Sequence, residues 1–156
     1  MSPGALGEKF VDFELDGFSS EEARKDGPLA LLFWRTGCST SRLTIPYWQR
    51  LADRYPQANV VAICQDEIQT TAEWCRDNGI TMDQLIDSPG QAVTRRFGVT
   101  IVPAYWIVDS SGRILMKGSG WERAKIEQVN EVLAMKLGLP PEPLVTEAEV
   151  PAYKPG

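Results

Sequence analysis

Cys38 heads the stretch Cys38-Ser39-Thr40-Ser41, directly behind the apolar run Leu29–Trp34. A strand that ends in a short turn and hands over to a helix places this sulfur at the positive end of a helix dipole. Unpaired amide N–H groups there favour the thiolate, the form of cysteine that attacks a disulfide or a peroxide. A second cysteine three residues on would supply an internal partner, but Ser41 occupies that position. Attack by Cys38 therefore stops at a mixed disulfide or a sulfenic acid, and another thiol must resolve it. Arg35, three residues before, and Arg42, one helical turn after, are the cations placed to hold the thiolate. Two further cysteines are present. Cys64 ends a second apolar run, and sites of open α/β sheets gather at such strand ends, so it is the better internal candidate for resolution. It also reads as a small core residue, and Cys75 beside Trp74 reads as helix packing.

Composition removes several other chemistries. The 156 residues contain no histidine, which excludes an imidazole base, Cys–His hydrolysis and most zinc sites. The three cysteines, spaced by 26 and 11 residues, fit no metal-ligand pattern, and their odd number leaves at least one free thiol. Neither metal nor cofactor is expected. A net charge of −5 with no basic cluster argues against nucleic acid. No apolar run approaches the ~18 residues of a membrane helix. Met1–Phe10 lacks the apolar core of a secretory leader, so the chain reads as cytoplasmic as it stands, and as extracytoplasmic if a leader has been removed.

The elements that must hold Cys38 follow from patterning. Lys9–Leu15 alternates and predicts a strand closing at Asp16-Gly17. Ser19-Ser20-Glu21-Glu22 opens a short helix stopped at Gly27-Pro28. Leu29–Trp34 predicts a strand buried on both faces. A helix over Thr40–Tyr55 sets Ile45, Trp48, Leu51 and Ala52 on one face, and Pro46 should kink it. Asn59–Cys64 is a second buried strand. Thr70–Asn78 and Gln91–Phe97 are helices closed by Gly79 and Gly98. Ala104–Val108 and Ile114–Lys117 form a hairpin across Asp109–Gly112, and Glu122–Leu137 is the last amphipathic helix. From Gly138 onward, Pro140, Pro141, Pro143, Pro151 and Pro155 break any period, leaving an extended tail, docked or loose. The element order describes an α/β sandwich around a mixed sheet.

Three segments in this order resemble the thioredoxin superfamily, and within it the TlpA/ResA-like and redoxin group. They are Leu32-Phe33-Trp34 before the Cys38 turn with Cys38-x-x-Ser41-x-x-Thr44-x-Pro46, then Phe97-Gly98-Val99-Thr100-Ile101-Val102-Pro103, then Trp106–Ile114 with its Asp109-Ser110-Ser111-Gly112-Arg113 turn. The resemblance runs from about Gly7 to Leu137. It implies a three-layer α/β/α sandwich with an added N-terminal strand and turn, one domain over residues 1–137, and a Pro-rich tail over 138–156. It implies that Pro103 is cis and lies opposite Cys38. The Val102 backbone would then pair with an extended substrate beside the sulfur, a form of β-augmentation. Gly37, Ser39, Thr40 and Val102 would line the substrate position, and Cys38, Ser41 and Pro103 would form the catalytic turn. Trp34, Ile45 and Val102 would disfavour the thiolate if they close over it.

Four residues depart from the family pattern. Ser41 replaces the resolving cysteine, and Gly37 stands where the family has tryptophan. Thr44 replaces a TlpA/ResA glutamate, and Leu32 replaces the buried aspartate of thioredoxin. The expected activity is thiol–disulfide exchange through one nucleophilic cysteine, with a protein or small-molecule thiol as partner. Two alternatives stand beside it. A one-cysteine peroxidase would carry Thr-x-x-Cys, whereas the third residue before Cys38 is Arg35 and Thr36 is one place too close. A non-catalytic binding module would use the Gly37/Val102 groove with aromatics such as Tyr47, Trp48 or Trp121.

Overall fold

Asp16 and Gly17, with φ of 52° and 79°, turn the chain between β1 (Glu14–Leu15) and β2 (Phe18–Ser19), which pair antiparallel. The structure is a computed structural model and describes residues 7–156. The start of Met1–Phe10 lies outside the described residues. Lys9–Leu15 forms strand only at its last two residues. Its alternation serves burial: Phe10 and Phe13 enter the core, while the Phe10 N–H donates to the Gly112 carbonyl (2.7 Å) and the Phe13 N–H to Ser20 Oγ (2.9 Å). Helix α1 (Ser20–Ala23) follows, capped by the Ser19 hydroxyl.

The central sheet comprises β3 (Leu29–Trp34), β4 (Asn59–Cys64), β5 (Gln84–Ile86), β6 (Ala104–Val108) and β7 (Ile114–Ser119), in the order β5-β4-β3-β6-β7. β3 runs parallel to β4, from Leu29 opposite Asn59 to Trp34 opposite Cys64, and antiparallel to β6. Between the strands lie α2 (Ser39–Arg54), α3 (Ile68–Asp77) and α4 (Ala92–Arg96). α2 continues as one helix through the exposed Pro46. After β7 come β8 (Trp121–Glu122) and α5 (Arg123–Lys136).

Side chains alternate across β3 and divide the core into two clusters. Ala30, Leu32 and Trp34 pack with Ile45, Trp48 and Leu51 of α2 and Ile126, Val129 and Leu133 of α5. Leu29, Leu31 and Phe33 pack against Phe10, Phe13, Phe97 and Trp106. Among the described residues no long helix covers that second face; the segment around Phe10 and Phe13 and α4 do so, and the Phe97 ring touches those of Phe10, Phe13, Phe33 and Trp106 at centroid distances of 5.2–5.6 Å.

The tail is docked. The Glu127 carboxylate accepts the N–H groups of Leu144 (2.8 Å) and Val145 (2.9 Å), and both of those side chains are buried. Arg50 pairs with Glu147 and donates to the Leu144 carbonyl (3.0 Å), while Arg54 donates to that of Glu142 (2.8 Å). Trp121 Nε1 donates to the Pro151 carbonyl (2.6 Å), and β9 (Tyr153–Lys154) pairs with β8.

Candidate active site

β3 delivers the chain to a turn, Arg35–Gly37, that enters α2 with Cys38 as its N-cap residue (φ −98°, ψ 120°). The Cys38 Sγ accepts the Ser41 N–H at 3.4 Å, and its own S–H donates to the Val102 carbonyl at 3.5 Å. The peptide bond between Val102 and Pro103 is cis. Two strand ends, β3 into α2 and the loop into β6, thus set the sulfur against the proline-bearing loop. Cys38 retains 9 % exposure, beside an exposed Gly37.

Burial by itself would raise the Cys38 pKa. The Ser41 N–H, the Ser41 hydroxyl, the Thr40 N–H and the Arg35 charge together outweigh it and hold the thiol below the usual cysteine value. Ser41 therefore remains in contact with the sulfur as a donor. It is fully buried, and its hydroxyl accepts the Arg35 N–H at 3.4 Å. Arg42 turns the other way and donates to the Thr36 carbonyl at 2.8 Å, fastening the turn. Thr40 is buried, Ser39 is exposed, and the Thr44 hydroxyl donates back to the Thr40 carbonyl (2.8 Å).

Cys64 and Cys38 form no disulfide and belong to different side-chain clusters. Cys64 is fully buried in the cluster that contains Trp34 and α2, whereas Cys38 belongs to the cluster on the other face of the sheet. Thr71 Oγ1 donates to Cys64 Sγ at 3.2 Å, and burial pushes this thiol up to about 11. Cys75 is likewise pushed up to about 11 by burial alone. All three cysteines are free. Tyr47, Trp48 and Trp121 are core residues, with the Tyr47 and Trp121 rings 5.1 Å apart.

Two neighbours of the site carry no motif. Asp66, two residues beyond β4, accepts the Thr36 N–H at 2.6 Å and so ties the turn to the next strand. The Thr40 hydroxyl donates to the Pro155 carbonyl at 2.6 Å, which brings the tail to the head of α2. The position of Asp66 past a strand end was the only available signal for it; nothing in the tail's composition announced Pro155.

The model of the AhpC/TSA family matches residues 6–116. The chain belongs to that family. Among its relatives is the thiol-disulfide oxidoreductase YkuV of Bacillus subtilis, 28 % identical over 123 residues that cover 73 % of this chain and 82 % of YkuV. The fold is thioredoxin-like. A solved chain from Chlorobium tepidum, assigned as a thiol:disulfide interchange protein DsbE, superposes with a TM-score of 0.75 at 23 % identity, covering 86 % of this chain and 99 % of that one. StoA of Bacillus subtilis superposes with a TM-score of 0.62 at 19 % identity, covering 82 % and 98 %.

Within this AhpC/TSA member, the two positions where the resemblance implied carboxylates meet in one place. Leu32 and Thr44 both line a small cavity with Trp48, Pro103, Tyr105 and Trp121. Its volume of about 20 Å³ is room for a single water, and Glu122 and Lys125 complete its lining. Among the described residues no group of three or more metal-binding side chains is assembled, and no helix is long and apolar enough to cross a membrane.

Proposed function

We propose that this AhpC/TSA member carries out thiol–disulfide exchange with Cys38 as its single nucleophile. The Cys38 thiolate attacks one sulfur of a partner disulfide; the new S–S bond forms as the old one breaks, and the departing thiolate takes a proton from solvent. A second, external thiol then attacks the mixed disulfide and restores Cys38. The observation that carries this reading is the contrast among the three sulfurs. One, beside the exposed Gly37, is capped by backbone N–H groups that hold its pKa down, while burial pushes the other two up to about 11. The activity named for YkuV agrees with it.

The membership of Cys38 and Cys64 in different side-chain clusters supports external resolution. Ser41 serves the thiolate as a donor, and the Val102 carbonyl with Pro103 forms the opposite wall. The test is mass-resolved reaction of the reduced protein. Rapid glutathionylation of Cys38 by glutathione disulfide, with Cys64 and Cys75 untouched, supports exchange. Oxidation of Cys38 by stoichiometric peroxide that outpaces glutathionylation replaces this reading with a one-cysteine peroxidase. Inertness to both reagents leaves a binding module.

A further inference from the structure

The wall that an extended substrate would use is already occupied. After Trp121 grips the Pro151 carbonyl and β9 pairs with β8, the chain runs on to Pro155, whose carbonyl takes the Thr40 hydroxyl. Gly156 then lies against the Val102 backbone and the Ile101 side chain, so closely that a Cβ there would collide with the Val102 carbonyl and Ile101 Cγ2. The Val102 carbonyl is the one that faces the Cys38 thiol. Residues of the tail thus sit as an extended strand where β-augmentation by a client polypeptide would take place. Gly120 permits the approach: its φ of +73° suits glycine, and a Cβ there would come within 3.1 Å of the Lys154 carbonyl.

The anchorage of this strand is uneven. Leu144 and Val145 are buried and held by Glu127, so the tail is fixed up to that point. Residues 151–156 are largely exposed, with Tyr153 61 % accessible, and hold on through backbone bonds and Trp121. Segments with few apolar contacts and solvent-facing hydrogen bonds open at low cost. On the other side of Cys38, which itself keeps 9 % exposure, stands the exposed Gly37. A Cβ on exposed Gly37 would meet only an Arg35 guanidinium nitrogen, at 3.4 Å.

We propose that residues 151–156 are a resident strap in the polypeptide groove: Cys38 exchanges with small thiols and disulfides from the Gly37 side while the strap is seated, and with extended polypeptides only after it lifts. This inference rests on Cys38 being the exchanging nucleophile, and it specifies the partner class that the seated form admits.

The full chain, a variant lacking residues 151–156 and the full-length Gly156→Val variant are compared with two probes. Iodoacetamide reports small-molecule access as a C–S bond forms and iodide leaves. A short extended peptide carrying a central cysteine as its thionitrobenzoate mixed disulfide reports polypeptide access. Attack by the Cys38 thiolate on the peptide sulfur forms the protein–peptide disulfide and expels coloured thionitrobenzoate with its electron pair. If the strap is seated in all but about a tenth of molecules, its removal raises the peptide rate about tenfold and leaves the iodoacetamide rate within about twofold. Gly156→Val does the same with the tail still present, which keeps the test decisive if the deletion fails to fold. An unchanged ratio of the two rates overturns the strap, and so does an equal rise in both. Failure of Cys38 to react with iodoacetamide in every form instead overturns the exchange reading beneath it.

Discussion

The Cys38 thiol faces the Val102 carbonyl across 3.5 Å, the gap between the head of α2 and the loop entering β6. An S–H donor and a carbonyl acceptor suit the reduced, neutral state. Once the proton leaves, the same carbonyl turns a lone pair toward a negative sulfur, and the Ser41 and Thr40 N–H groups are left to hold it.

The alkylation rate of Cys38 should therefore rise with pH through an inflection below that of an ordinary cysteine, because its pKa is held down. Cys64 and Cys75, pushed up to about 11, should stay unlabelled at neutral pH until the protein is unfolded. Timed iodoacetamide labelling with peptide mass analysis checks both statements.

Charge at Arg35 acts on the sulfur directly, whereas Arg42 is committed to the Thr36 carbonyl. Arg35→Gln should move the Cys38 labelling inflection upward by a few tenths of a pH unit, the scale of one exposed charge a few ångströms away. Arg42→Gln should move it less. Equal shifts from the two variants would assign the cation's role to both.

Ser41→Cys places a thiol at a buried position whose hydroxyl already contacts the Cys38 sulfur. It should convert the protein into a dithiol that reduces insulin disulfides, measured by turbidity. A folded variant that stays inactive would locate the missing capacity at Leu32 and Thr44, the two positions where the resemblance implied carboxylates.

Alkaline pH should weaken the fold. Cys64 and Cys75 titrate near 9 when unfolded and at about 11 when folded, so the native state retains protons that the unfolded chain has released. Stability is then complete below about pH 9 and falls as pH rises toward 11, by at most about 3 kcal/mol for each thiol. Urea midpoints between pH 8 and 11 should show this decline. Cys75→Ala should flatten the pH slope even though it lowers stability at neutral pH.

Near the N terminus, Asp12 receives a two-pronged bond from Arg24 (2.7 and 3.1 Å) as well as the Ser20 hydroxyl (2.8 Å). Arg24 is mostly buried and its guanidinium also donates to the Ser110 carbonyl. Asp12→Ala should cost about 2 kcal/mol by stranding that guanidinium, read as a lower urea midpoint. The loss should shrink at acid pH, because the wild-type carboxylate, its pKa lowered by Arg24, contributes above its unfolded value and stops contributing as it is protonated.

What could be read from residue order was whatever long apolar runs and punctuation record. Leu29–Trp34, Asn59–Cys64 and Ala104–Val108 are continuous enough to be strands and nothing else, and the Cys38 turn follows directly from the first. β5 escaped because three residues, Gln84-Leu85-Ile86, carry no period. β8 and β9 are two residues each and exist only because the tail returns. That return depends on Arg50, Arg54 and Arg123 donating to backbone carbonyls, contacts that any side chain on the tail would permit. Lys9–Leu15 misled for a related reason: spacing Phe10 and Phe13 into a core looks much like alternation along a strand, while the backbone pairs only at its end.

The N-terminal segment laid over the second face of the sheet does one more thing. Its backbone exchanges hydrogen bonds with the start of β7: Gly7 N–H to the Ile114 carbonyl (2.8 Å), Ile114 N–H to the Glu8 carbonyl (2.9 Å), with Phe10 N–H on Gly112 just beyond. One margin of the sheet is thus partly sheathed by the chain itself, and the other is only the three residues of β5. A rim as short as β5 offers a neighbouring molecule little strand to extend.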